Sequence, residues 1–228
     1  MRSSLNIDRL ESVAKGLGDR LDETAFVGGA VVELYVDDPA APAVRNTADV
    51  DCVVPVTARH GMRQWEEDLR ARGFRNDLQQ GAPICRWIYD GTIVDVMPAN
   101  EDVLGFTNPW YGPGLENTVP YRLPSGTVIR IFALPWFVAT KMVAAKGRGG
   151  NDLRWSHDFE DVVYLWDCIP DFVDRLKRAP AELAAWIAKE LMEWRERPEL
   201  REAVECVVEQ DSPQRVRRIL SELDALAG

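Results

Sequence analysis

The sequence predicts an α+β protein, with a sheet domain over residues 1–133 followed by a helical domain over residues 134–228. Three observations predict it. The β-like runs are confined to the first half of the chain. Connections of unequal length and kind join them, not a repeating strand–helix unit. From Leu134 onward the signals are helical to the end. The composition supports packed cores, because 46% of the 228 residues are hydrophobic, with eight Trp, seven Phe and five Tyr.

Taken in order, Leu10, Val13, Ala14, Leu17 and Leu21 recur at helical spacing and predict an amphipathic helix ending near Gly16 to Gly18 or just beyond. Thr24 to Val27 predicts a short strand that stops at Gly28 and Gly29, and Ala30 to Tyr35 predicts a brief helix. Asp37 to Thr47, with Pro39, Pro42 and interspersed alanines, is a loop. Ala48 to Val54 is a strand closed by Pro55, and Arg59 to Arg72 is a surface helix. Ile84 to Tyr89 and Thr92 to Met97 form a hairpin, because the intervening Asp90-Gly91 suits the positive φ angles of a two-residue type I′ turn. Phe106 to Pro124, rich in Pro, Gly and Asn, is expected to be irregular, and Thr127 to Phe132 is one more strand. In the second half, Ser156 before an acidic turn, Pro180 before Ala181 to Arg195, and Ser212 with Pro213 are helix starts.

Acidic residues outnumber basic ones by 37 to 27, giving a formal charge of −10. That balance excludes a general nucleic-acid coat, which needs a broad cationic face, so a polyanionic substrate must be met by a local patch. Cys52, Cys85, Cys168 and Cys206 are too scattered for a metal knuckle and read as reduced, mostly buried thiols. Charged residues throughout Met1 to Arg20 argue against a signal peptide, and no segment approaches the roughly 18 apolar residues of a membrane span. A cytoplasmic protein without membrane contact is the expectation.

The chemistry concentrates in Phe26-Val27-Gly28-Gly29-Ala30 and Thr47-Ala48-Asp49-Val50-Asp51-Cys52-Val53-Val54. In a strand, alternate residues project from one face about 6.6 Å apart, so Asp49 and Asp51 form a matched pair. Such a pair suits a hard divalent cation that also takes phosphate oxygens as ligands. The glycine pair leaves backbone N–H groups open to a phosphate. Asp95, within the apolar run Ile93-Val94-Asp95-Val96-Met97, would cost several kcal/mol to bury unpaired. A metal shared with Asp49 and Asp51 would compensate it. Alone, an Asp-x-Asp is more often a solvated strand end, and Asp95 could face solvent; the ordered combination is what points to a site.

That combination resembles the DNA-polymerase-β-like nucleotidyltransferase superfamily, whose pattern is a Gly-Gly or Gly-Ser turn, an Asp-x-Asp and a third strand carboxylate. Within it the chain resembles the AbiEii/AbiGii-type and MenT-like toxin nucleotidyltransferases. Ala139-Thr140-Lys141-Met142-Val143-Ala144-Ala145-Lys146-Gly147-Arg148 resembles that family's Lys motif, and His157-Asp158-Phe159-Glu160-Asp161-Val162 its Asp motif. The similarity spans Phe26 to about Leu165. Two departures are visible: a long gap between Gly29 and Asp49, and Gly29 where many members have Ser.

The resemblance implies a polymerase-β-like fold, a mixed sheet with flanking helices followed by a C-terminal helical bundle, and transfer of a nucleoside monophosphate from a nucleoside triphosphate (NTP) to a hydroxyl. It also implies one or two Mg²⁺ ions held by Asp49, Asp51 and Asp95. Gly28 and Gly29 would cradle phosphate, Lys141 and Arg148 would bind triphosphate charge, and Asp158 would hold Lys141, with Asp161 as its companion. The implied setting is the toxin of a toxin–antitoxin pair, with a cognate antitoxin as partner and a tRNA 3′ end as one acceptor.

The residues leave other readings open. On its apolar helical stripe with Leu134, Val138 and Ala145, Lys141 reads equally as a side chain reaching solvent. Asp158 and Asp161 suit a helix start whatever the function. Residues 141–154 carry Lys141, Lys146, Arg148 and Arg154 against Asp152, a local +3. Trp110, Tyr111, Tyr121 and Trp136 offer either base stacking or core, and His60 and His157 are too separated for a metal site. Competing functions are an antibiotic nucleotidyltransferase of the aminoglycoside type and a catalytically silent binding protein with the same fold.

Overall fold

The strand signals of the first half assemble into one mixed sheet in a computed structural model of the protein, which describes residues 4–148, 152–208 and 212–227. Among the described residues the chain divides into two compact units, residues 1–34 with 43–133, and residues 35–42 with 134–228.

The first unit contains seven strands: β1 (Ala25–Val27), β2 (Asp49–Val54), β3 (Arg75–Asn76), β4 (Arg86–Tyr89), β5 (Thr92–Pro98), β6 (Thr118–Arg122) and β7 (Val128–Phe132). Their order across the sheet is β3-β4-β5-β2-β1-β7-β6. β2 runs parallel to β5, and β1 parallel to β7, whereas the remaining neighbours are antiparallel. The central strands are the most apolar. β1 is buried along its whole length, and Val50, Cys52, Val53 and Val54 of β2 are inaccessible to solvent. Four helices accompany the sheet: α1 (Leu5–Leu17), α2 (Arg59–Ala71), α3 (Glu101–Leu104) and α4 (Tyr111–Glu116). Leu10, Val13, Ala14 and Leu17 form the buried stripe of α1, which packs across β2 and β5. Ser4 caps that helix by accepting from the Ile7 amide at 3.1 Å.

The hairpin turn matches its sequence signature, with Asp90 at φ 46° and Gly91 at φ 75°. Ala30 to Tyr35 is a 3₁₀ helix that begins at Gly29. The expectation of an irregular segment from Phe106 to Pro124 is corrected: the stretch holds α4 and β6. Pro120 is tolerated there because β6 is an edge strand, where an absent N–H costs no ladder bond on the open side.

The second unit is helical: α5 (Leu134–Arg148), α6 (His157–Cys168), α7 (Phe172–Lys177), α8 (Ala181–Arg195), α9 (Leu200–Val207) and α10 (Pro213–Ala227). Phe137, Val138 and Met142 of α5 pack in a core with Leu165 and Trp166 of α6 and Ile187 and Leu191 of α8. The Ser156 hydroxyl accepts from the Phe159 amide at 3.2 Å and caps α6. Residues 35–42 belong to this unit through Tyr35, whose ring lies 4.8 Å from that of Phe137, and through Pro42, whose carbonyl accepts from the Tyr164 hydroxyl at 2.9 Å. No helix among the described residues is long and apolar enough to cross a membrane.

Candidate active site

Three aspartates come together on the sheet. Asp49 and Asp51 alternate with the buried Val50 and Cys52, so both project from one face of β2. Asp51 is the register partner of Asp95 on the parallel strand β5, which puts Asp95 on the same face. Gly28 closes the group from the other side. Its neighbour Val27 pairs with Asp51, its own φ is +72°, and a Cβ at this position would collide with the Asp51 carboxylate. A glycine is thus required where the β1 turn meets Asp51. Gly29 faces Thr47 and Arg45, whose guanidinium would lie 3.0 Å from an added Cβ.

Asp95 is 8% exposed, and the partner that compensates it is Arg86. The two strands of the hairpin pair Arg86 opposite Asp95. Arg86 Nε donates to Asp95 Oδ1 at 2.9 Å and Nη2 donates to Oδ2 at 2.8 Å, the fork geometry of a strong ion pair. The same Nη2 lies 3.8 Å from Asp49 Oδ2. The bond to Asp95 raises the guanidinium pKa beyond its already high ordinary value, so the charge is permanent. A shared metal is therefore not needed to explain the burial of Asp95, which corrects that step of the sequence argument.

As they stand, no three Asp, Glu, His or Cys side chains among the described residues are arranged to hold a metal ion. Asp49, Asp51 and Asp95 nonetheless fit a hard dication in kind, since all are carboxylates on one face of adjacent strands. Behind that face the thiols are suppressed. Burial, then the charges of Asp51 and Asp95, push the Cys52 pKa well up, and burial, with Asp95 adding, takes Cys85 to about 11.

The chain leading into β2 is held by residues that the sequence reading did not single out. Asn6 on α1 is 1% exposed. Its carbonyl oxygen accepts from the Thr47 amide at 3.0 Å, and its amide donates to the Arg45 carbonyl at 3.1 Å. Arg9 donates to the Thr47 carbonyl, and the Thr47 hydroxyl donates to the Asp49 carbonyl at 2.9 Å. These bonds tie the start of the Asp49 strand to α1.

In the helical unit Lys141 is 5% exposed and does not reach solvent. Its Nζ donates to Asp158 Oδ1 at 3.0 Å and lies 2.6 Å from Asp161 Oδ2. Burial works against the ammonium, but the charges of Asp161 and then Asp158 outweigh it and raise the Lys141 pKa. Lys141 and Asp158 thus meet, and Asp161 is an equal partner. The local +3 does not form a free cationic patch among the described side chains. Lys146 is bound to Glu190 and Glu193, and Arg154 to Asp152 and Glu202. Arg148 ends α5, and its side chain lies outside the described ones.

Of the aromatic group, Tyr111 is core, donating to Met97 Sδ at 3.3 Å and meeting Phe132 edge-on, while Trp136 belongs to the other unit. The four cysteines are free thiols; Cys52 and Cys85 are buried, Cys168 is half-buried and Cys206 is exposed.

No sequence profile of a known protein family matches the chain, and no curated protein matches its sequence.

Proposed function

We propose that the protein is a Mg²⁺-dependent nucleotidyltransferase with a polymerase-β-like sheet, moving a nucleoside monophosphate from an NTP to a hydroxyl acceptor. The observation that carries the reading is Asp49, Asp51 and Asp95 in register on one face, with the Gly28 turn against Asp51. Bound there, Mg²⁺ would supply positive charge to the α-phosphate and the departing pyrophosphate. Asp49 and Asp51 are the residues that would hold it, and Asp95 completes the set. Gly28 keeps the turn free of a side chain beside the Asp51 carboxylate, and Gly29 continues that turn against Thr47 and Arg45. Lys141 and Arg148 are the cations that the resemblance assigns to the triphosphate, with Asp158 fixing Lys141. The toxin setting, a cognate antitoxin and a tRNA 3′ end as acceptor belong to the same reading.

One observation favours a second reading, a silent binding protein with this fold. Arg86 neutralises Asp95 without any metal, so the carboxylates can persist in a protein that does no chemistry.

The two readings separate in one assay. The full chain is incubated with Mg²⁺, each α-labelled NTP, and tRNA, protein or aminoglycoside acceptors, alongside Asp49→Ala and Asp51→Ala. Label transferred by the wild type and lost in both variants supports the enzyme and identifies the acceptor. Label absent from every acceptor, or undiminished in the variants, overturns it.

A further inference from the structure

The guanidinium of Arg86 occupies a particular place among the carboxylates. It grips both oxygens of Asp95 on β5 and stands 3.8 Å from Asp49 on β2, so a single cation spans the two parallel strands whose acids a divalent ion would have to share. It comes from β4, on the far side of β5 from β2, and the hairpin register holds it there. Asp95 has only 11% of its side chain exposed and Arg86 only 25%, so water screens this contact weakly.

A guanidinium and a hard dication want the same oxygens for different reasons. Arginine spreads its charge, is weakly hydrated and never deprotonates, so raising the pH does not clear it from the site. A carboxylate retains further lone pairs after accepting two N–H bonds, but the unit positive charge beside it remains and opposes a second cation.

The geometry points to Arg86 as a resident counterion that competes with a divalent cation for Asp95 and Asp49, setting the metal affinity of the free protein. The inference rests on the nucleotidyltransferase reading for the identity of the ion, but its test does not depend on transfer. It makes Arg86 a positioning residue, acting on the site through the two carboxylates. If Arg86 instead served only to pre-orient Asp95 as a ligand, its removal would weaken metal binding. Competition predicts the opposite sign.

Mn²⁺ is the probe, with free ion counted by electron paramagnetic resonance against the full chain without nucleotide. In Arg86→Gln, which keeps an N–H donor toward Asp95 without the charge, binding should tighten by about tenfold or more, the order by which one charge at 4–6 Å shifts an ionic equilibrium. Adding Asp49→Asn to that variant should abolish the gain. Should Arg86→Gln fail to fold by circular dichroism, the wild type gives an independent readout: titration with Mg²⁺ should move the ¹⁵N-labelled Arg86 Nε–H resonance toward that of a free arginine side chain as the bonds to Asp95 are given up, whereas an Arg86 that only pre-orients Asp95 keeps its bonded resonance. Equal or weaker Mn²⁺ binding in a folded Arg86→Gln, or an Arg86 resonance unmoved at saturation, overturns the inference and leaves the nucleotidyltransferase reading standing. Failure of both wild type and Arg86→Gln to bind Mn²⁺ overturns the inference and the metal-dependent reading together. Tighter binding without label transfer to any acceptor supports the inference and removes only the enzyme.

Discussion

Gly28 lies directly against the carboxylate of Asp51, at the point where β1 leaves the sheet with Val27 paired to Asp51. Two costs attend any side chain there: the left-handed backbone at φ +72°, and the collision with Asp51, whose Cγ would stand 2.6 Å from the added Cβ. Gly91 isolates the first cost, since its φ is +75° and nothing lies within 4 Å of an added Cβ. Gly91→Ala should lose about 1 kcal/mol from the backbone alone. Gly28→Ala should lose a further 1–3 kcal/mol, roughly the cost of overpacking, as measured by denaturant unfolding. Equal losses in the two variants would show that Asp51 turns aside freely and that the close approach holds nothing in place.

Lys141 carries the second prediction. Two carboxylates, one of them 2% exposed, depend on its charge, so Lys141→Met should cost about 3–5 kcal/mol, the range for breaking a buried pair from one side. Its folded pKa is raised above the ordinary 10.5, so this stability is fully present below about pH 10.5 and is lost as pH rises through the higher folded value. Thermal melts should therefore show a constant gap between wild type and Lys141→Met from neutral pH to about 10.5, narrowing beyond it. A gap that already closes at neutral pH would sink the attribution to the ammonium.

The face shared by Asp49 and Asp51 was legible from strand alternation, and the Asp90-Gly91 turn from its composition. The partner of Asp95 is legible in the hairpin register too. A two-residue turn places Tyr89 opposite Thr92, and moving three residues away from the turn on each strand sets Arg86 against Asp95. β6 escaped notice because Pro120 and the surrounding Gly and Asn mimic a loop, and edge strands tolerate both. β3, with only Arg75 and Asn76, is too short to show a period. Asn6 gave no signal at all, because a polar residue beside a helix start looks like surface until the Thr47 segment is folded over it.

Asn6 itself is testable. Asn6→Ala removes the acceptor of the Thr47 amide and the donor to the Arg45 carbonyl, and should cost about 1–3 kcal/mol for the Thr47 amide, which is buried and loses its acceptor. Hydrogen exchange reads this locally: the Thr47 amide should lose protection in Asn6→Ala under conditions where the amides of β2 keep theirs. Unchanged exchange at Thr47 would mean that the bond does not hold the segment.

The thiols give the last prediction, and it bears on mechanism. Burial, then the neighbouring acids, suppress Cys52, and Cys85 at about 11 instead of 9.0 holds about a hundredfold less thiolate at pH 8 than an ordinary thiol. Cys206 is exposed. Iodoacetamide at pH 8 should thus modify Cys206 first in the native protein, with Cys52 and Cys85 labelled only after unfolding, as read by peptide mass spectrometry. Because the proposed transfer is direct from NTP to acceptor, with carboxylates and no thiol at the reacting centre, nucleotidyl transfer should survive complete alkylation of Cys206. Native labelling of Cys52 or Cys85 that tracks a loss of transfer would point instead to a thiol in the chemistry, and would remove Asp49 and Asp51 from the centre of the mechanism.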